Sequence, residues 1–217
     1  YGTICVMTGI NGGSHTMSKL LLGPLLGVES DDAYTVCFLT EASSASASVE
    51  LDGTPHPAVL ASTLPSGKKF WRTELTIPPL AADQPKTYVV KIDAAIASDR
   101  NNRKSWRFNV PKSGAVPVMA YASCNGFSSA DLVTKTEDPY RLWGKLKSQH
   151  DQKPFSLMIM GGDQLYADEI WGKVPELQKW AAKSREDKIK QGASQLMKRQ
   201  IEKFYETLYI ERWKIEV

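Results

Sequence analysis

A change of texture at Pro111-Lys112-Ser113-Gly114 constrains what this chain can fold into more than any other feature. Before it, short extended runs are separated by turn residues; after it, strand-like and helix-like runs alternate. The first stretch holds extended runs at residues 34–39, 48–51, 70–77, 88–92 and 106–110. In the last of these Trp106, Phe108 and Val110 alternate with Arg107 and Asn109, the two-residue period of a half-buried strand. Asp52-Gly53 after Leu51 is a hairpin signal, and Pro55, Pro57, Pro65, Pro78 and Pro79 read as breaks. Strands so spaced, with no helical period between them, predict an antiparallel β-sandwich of immunoglobulin or fibronectin type over residues 17–112.

Beyond the switch, residues 116–122 form an apolar run that ends in Ser123-Cys124-Asn125-Gly126, as a strand feeding a functional loop would. Asp138 as N-cap with Pro139 at the first helical position, and Leu142, Trp143 and Leu146 on one face, predict a helix of about three turns. Residues 155–160 are apolar without interruption and stop at Gly161-Gly162, the pattern of a central strand covered on both faces. From 193 to 213, Met197, Ile201, Phe204, Tyr205 and Leu208 recur at helical intervals and predict a long amphipathic helix. Strand, helix, strand, helix makes residues 116–217 an α/β unit.

The composition narrows the functional classes. With 217 residues, 42% of them hydrophobic, the chain can bury a substantial core. Its 27 Lys and Arg against 24 Asp and Glu leave a formal charge of +3, too slight an excess to imply a nucleic-acid partner. Cys5, Cys37 and Cys124 are scattered and odd in number, which points to no disulfide framework and to a reducing compartment. The longest membrane candidate, residues 20–28, is broken by Gly23, Pro24 and Gly27, so no membrane anchor is expected. Residues 1–16 are glycine-rich and place Gly12-Gly13-Ser14-His15 just ahead of Met17, without the cationic start or apolar stretch of a signal peptide. They read as an added leader, with Met17 the working start and a cytoplasmic location favoured.

Chemistry concentrates in Gly161-Gly162-Asp163-Gln164-Leu165-Tyr166-Ala167-Asp168-Glu169. Carboxylates and a phenol follow directly on an apolar strand, and in α/β folds ligands gather beyond the carboxyl ends of strands. Asp163 and Asp168 are hard oxygen donors of the kind divalent cations take. Read singly, Asp163 is also an ordinary turn cap, Cys124 a small buried hydrophobe and Tyr166 a core or rim aromatic.

Taken together, Ser123-Cys124-Asn125 and Gly162-Asp163-Gln164-Leu165-Tyr166-Ala167-Asp168 resemble the two leading motifs of the PhoD-like alkaline phosphatases, a metallophosphoesterase family. Leu21-Leu22-Gly23-Pro24-Leu25-Leu26 is similar to the start of that family's N-terminal β-sandwich. The resemblance implies Cys124 as a thiolate ligand to iron, Tyr166 as a phenolate ligand to the same ion, and Asp163 as a carboxylate bridging to a second metal, often calcium. Asn125 and Asp168 would be outer partners of these ligands, with Asp168 alternatively capping a helix that begins at Glu169. No catalytic group is expected beyond the ligands, and the implied reaction is hydrolysis of phosphate mono- or diesters by metal-activated water.

The family's later Asn, Asp and His ligands have no counterpart, although residues 204–213 resemble the helix that precedes them. His15 falls in the leader, His56 between prolines in a presumed sandwich turn, and His150 at the end of the predicted helix. The expectation is therefore the N-terminal part of an α/β metallophosphoesterase, incomplete as a catalyst and able to self-associate through an uncovered final helix. The competing reading is a non-catalytic sandwich that binds a ligand or protein, with a structural α/β remnant.

Overall fold

Period-two burial writes the first two sheets of the computed structural model, which describes residues 18–127 and 129–213. One antiparallel sheet runs in the order β1 (Leu22–Val28), β2 (Ala33–Thr40), β6 (Lys69–Thr76) and β5 (Val59–Thr63). The other runs β4 (Thr54–Pro57), β3 (Ala47–Leu51), β7 (Gln84–Ile92) and β8 (Ala95–Ile96), with β9 (Trp106–Val110) also paired to β7.

Along β6, Trp71, Thr73 and Leu75 are buried while Arg72, Glu74 and Thr76 are exposed, and the register sets Leu75 opposite Tyr34, Thr73 opposite Val36 and Trp71 opposite Phe38. Val36, Phe38 and Leu75 from this sheet meet Val49 and Val90 from the other in one shared core, all at 0% exposure. Each such side chain contributes about 1.5–3 kcal/mol on burial. In the core Trp71 Nε1 donates to Thr40 Oγ1 at 2.9 Å, while Thr73 Oγ1 and Ser98 Oγ are buried without partners among the described residues. Trp106 and Phe108 of β9 pack on the same core, as their alternation predicts.

Asp52 and Gly53, with φ of 46° and 86°, form the two-residue turn between β3 and β4. Two proline breaks do not hold. Pro55 and Pro57 lie inside β4, and His56 sits in a strand rather than a turn. An edge strand tolerates proline because one side of its backbone has no ladder to join. The stretch around 112 is fastened down as well: Ser113 Oγ accepts from the Leu80 amide at 2.8 Å, and the Lys112 amide donates to Asp83 Oδ1 at 2.8 Å.

After this tether β10 (Met119–Ser123) pairs in parallel with β11 (Leu157–Gly161), forming a separate two-stranded sheet joined by α1 (Ala130–Lys135) and α2 (Arg141–Gln152). The strand begins three residues later than 116, and Val116 is 88% exposed. Nor is β11 covered on both faces, since Ile159 and, across from it, Tyr121 are exposed. A two-stranded sheet has too little area to bury both sides. Tyr140, not Asp138, is the N-cap of α2, and no side chain caps it. Asp138 accepts the Arg141 amide through its backbone oxygen instead, and Leu142 faces outward.

The helix after Glu169 is α3 (Ile170–Lys173), and α4 (Pro175–Ala181) and α5 (Arg185–Lys190) follow it; like α1, these two are not among the elements predicted from the sequence. Their signals are local, with Pro175 at the start of α4 and Ser184 Oγ accepting from the Asp187 amide at the start of α5. The long helix α6 (Gln195–Trp213) forms as its spacing predicts. Met197 is buried with Ile170, Val174 and Leu177, and Ile201 and Phe204 pack beside them, but Tyr205 and Tyr209 stay exposed. Lys68 Nζ and Ser66 Oγ, at 2.5 and 2.8 Å from Glu206 Oε1, tie α6 back to the first sheet. Among the described residues no helix is long and apolar enough to cross a membrane. The expected leader and Cys5 lie outside the described residues.

Candidate functional site

Parallel pairing of Ser123 with Gly161 brings the two strand ends level, so the loops that follow them leave from the same edge. Backbone hydrogen bonds zip these loops together: the Cys124 amide donates to the Gly161 oxygen at 2.9 Å and the Asn125 amide to the Asp163 oxygen at 2.7 Å. Cys124 adopts φ of 62°, a left-handed conformation that a residue with a side chain holds only at a cost of about 1–3 kcal/mol. The turn aims its sulfur across the neighbouring loop.

Gly162 makes room for that sulfur. Its φ is +66°, and a Cβ there would stand 2.8 Å from both Cys124 Sγ and Ser123 Oγ. Any other residue would push the thiol out of place.

The surroundings of the thiol favour its charged form. The Asp163 backbone N–H donates to the sulfur, and the Ser123 and Tyr166 hydroxyls add to it, so the Cys124 thiol is held below its ordinary range despite partial desolvation and the nearby Asp163 charge. Ser123 Oγ lies 3.6 Å from Cys124 Sγ. Tyr166 feels the opposite pull: its hydrogen bond to Cys124, followed by burial and the Cys124 and Asp163 charges, raises its hydroxyl above the ordinary range, with Arg212 opposing. In their mutual hydrogen bond Tyr166 is therefore the donor and the Cys124 sulfur the acceptor.

Cys124, Asp163 and Tyr166 are thus brought together, and Asn125 joins them through its backbone. Asp168 does not act as a cap: Glu169 is the N-cap of α3, without a side-chain bond, and Asp168 is exposed beside it. Two residues missed from the sequence complete the site. Gln164 Nε2 donates to the Gly161 oxygen at 2.6 Å and braces the turn, leaving its Oε1 buried without a partner among the described residues. Arg212, from the far end of α6, lies against Gly126. Gln164 stands inside the motif, whereas nothing near Arg212 marks it in sequence.

One thiol whose ionised form is favoured, one carboxylate and one phenol stand together at this strand edge. Among the described residues there is no group of three or more His, Cys, Asp and Glu side chains that could hold a metal ion; this loop offers Cys124 and Asp163, with the Tyr166 phenol beside them.

No family model matches the chain. Over 144 residues, 65% of its length, it is 29% identical to a Saccharomyces cerevisiae protein named only as the uncharacterized protein YGR266W. The aligned part is 19% of that relative, so the chain spans about a fifth of its length. Among solved structures, the type III pullulan hydrolase from Thermococcus kodakarensis is similar over 52% of this chain and 21% of that one, at 14% identity and a TM-score of 0.30, too low to bear on fold or function.

Proposed function

We propose that the chain carries part of a metal-dependent phosphoesterase similar to the PhoD-like phosphatases. In this reading residues 17–112 are a sandwich of immunoglobulin or fibronectin type, and residues 116–217 belong to the α/β metallophosphoesterase unit. The observation that carries the proposal is the convergence of Cys124, Tyr166 and Asp163 at the level ends of a parallel strand pair. A bare structural turn needs neither a left-handed cysteine nor a glycine cleared for its sulfur.

Iron and calcium, the ions the resemblance implies, would supply Lewis acidity toward a phosphate ester and its attacking water. The chain's own residues have narrower tasks. Ser123, Tyr166 and the Asp163 amide would favour the ionised form of Cys124, and Tyr166 would add a phenol oxygen beside it. Gln164 and Gly162 hold the geometry that keeps these donors within reach of one another.

Metal analysis of the purified chain after exposure to iron and calcium tests the reading. About one tightly held iron per chain is expected, lost in both Cys124→Ser and Asp163→Asn. Equal metal content in wild type and variants would remove the proposal. Three donors cannot hold two ions in fixed positions, so hydrolysis of a generic phosphate monoester by these 217 residues is expected to stay near background.

A further inference from the structure

One face of the β10–β11 pair, together with α2 and the end of α6, borders a mostly apolar cavity of about 390 Å³ that is open to solvent. Trp143, Leu146, Met158, Met160 and Trp213 line it, and Gly126, two residues beyond Cys124, borders it. A volume of this size lies at the small end of ligand pockets and suits a group of one or two rings.

Arg212 stands where the cavity meets the Cys124 loop. Its guanidinium atoms are 3.0 to 3.1 Å from where a Cβ on Gly126 would be, so the loop runs close against the arginine and a side chain there would displace it. Its charge reaches Tyr166. Its Nε is buried without a hydrogen-bond partner among the described residues. A buried donor on a permanent cation carries a desolvation cost that an anionic ligand would relieve. Guanidinium is also the side chain best shaped to take two phosphoryl oxygens at once.

We propose that Arg212 binds the phosphoryl group at this site and that the neighbouring cavity holds the ester's organic portion, which makes the substrate a phosphate ester of an apolar or aromatic alcohol. The inference rests on the phosphoesterase reading and adds to it a substrate class and a residue. Mostly apolar walls, broken by Asn125, Tyr140, Lys147 and His150, favour an apolar group over the many hydroxyls of a sugar phosphate, which would lose more water than these few side chains replace.

The test uses two probes with the same head group and no hydrolysable bond, phenylphosphonate and methylphosphonate, titrated calorimetrically into metal-free protein. Phenylphosphonate is expected to bind at least about tenfold more tightly. Arg212→Gln should weaken both probes at least about tenfold, as loss of a charge-assisted contact does, and Arg212→Lys should recover part of the loss. Trp143→Ala should bring phenylphosphonate close to methylphosphonate and leave the latter unchanged. Circular dichroism and the thermal midpoint establish that each variant is folded, and Arg212→Lys keeps the test decisive should Arg212→Gln disturb α6. Equal binding of the two probes by the wild type, binding of neither, or unchanged methylphosphonate affinity in Arg212→Gln overturns the inference. Iron retention measured in parallel separates the two ideas. Phosphonate binding without iron retention removes the metal reading alone, and iron retention without phosphonate binding removes only this one.

Discussion

The two facing sheets and the β10–β11 unit both contain apolar strands, the latter the more apolar, yet it is the former that bury them fully. In the first, strands from both sheets drive Val36, Phe38, Val49, Leu75 and Val90 to complete burial. In the second, Met119, Tyr121 and Ile159 stand exposed on a sheet of two strands, and the apolar walls of its other face border a cavity. Stability thus resides in one region and the candidate chemistry in the other. At the site Cys124 and Gly162 take left-handed backbone, and Gln164 Oε1 and Arg212 Nε are buried without partners among the described residues. A site of that kind depends on a rigid neighbour to hold it, and α6 supplies the tie through Glu206.

The contrast breaks most sharply on core deletion. Phe38→Ala should cost about 3–5 kcal/mol in urea unfolding, whereas Met158→Ala, beside the cavity, should cost under about 2. Similar losses would mean that the β10–β11 unit is as tightly packed as the sheets. Next in size is Gly162→Ala, which sets a methyl against the Cys124 sulfur at a positive φ. It should cost about 1–3 kcal/mol locally and lower iron affinity at least about tenfold. Iron bound as tightly as in the wild type would separate the Gly162 turn from the site.

The tie between regions is weaker. Glu206 is opposed by burial, but the Lys68 and Ser66 hydrogen bonds outweigh it and hold the carboxyl below the ordinary range. Its folded pKa being the lower, its stabilisation is complete above the unfolded value of about 4.3 and fades as pH falls through the folded value. Glu206→Gln should therefore cost about 1–2 kcal/mol at pH 7, and the gap from wild type should close as the pH falls below about 4. A gap that is constant with pH would show that the ion pair does not fasten α6. The smallest effect belongs to Leu142, which is 79% exposed. Leu142→Ser should change stability by less than about 0.5 kcal/mol, and a larger loss would place this residue in a packed interface.

Much of the local structure was legible because it is written in neighbours. The alternation of β9, the Asp52-Gly53 turn and the period of α6 depend on residues within a few positions of one another. The Asp138 cap and the outward Leu142 show where local signals mislead: a helix start has several candidate caps, and only the fold decides which residue enters helical geometry. The same holds for Pro55 and Pro57, which read as breaks until β4 is known to be an edge.

By itself the sequence determined the alternating strands, the period of α6 and the change of texture near 112, and it set Cys124, Asp163 and Tyr166 together only through the resemblance of their motifs. Only the tertiary structure decided that Ser123 and Gly161 lie level, that Gly162 clears space for a sulfur from another strand, and that Arg212 comes back from the end of α6 to the Cys124 loop. The physical reason is that periodicity and turn chemistry act over a few residues, whereas register and close approach are settled by packing between segments distant in sequence.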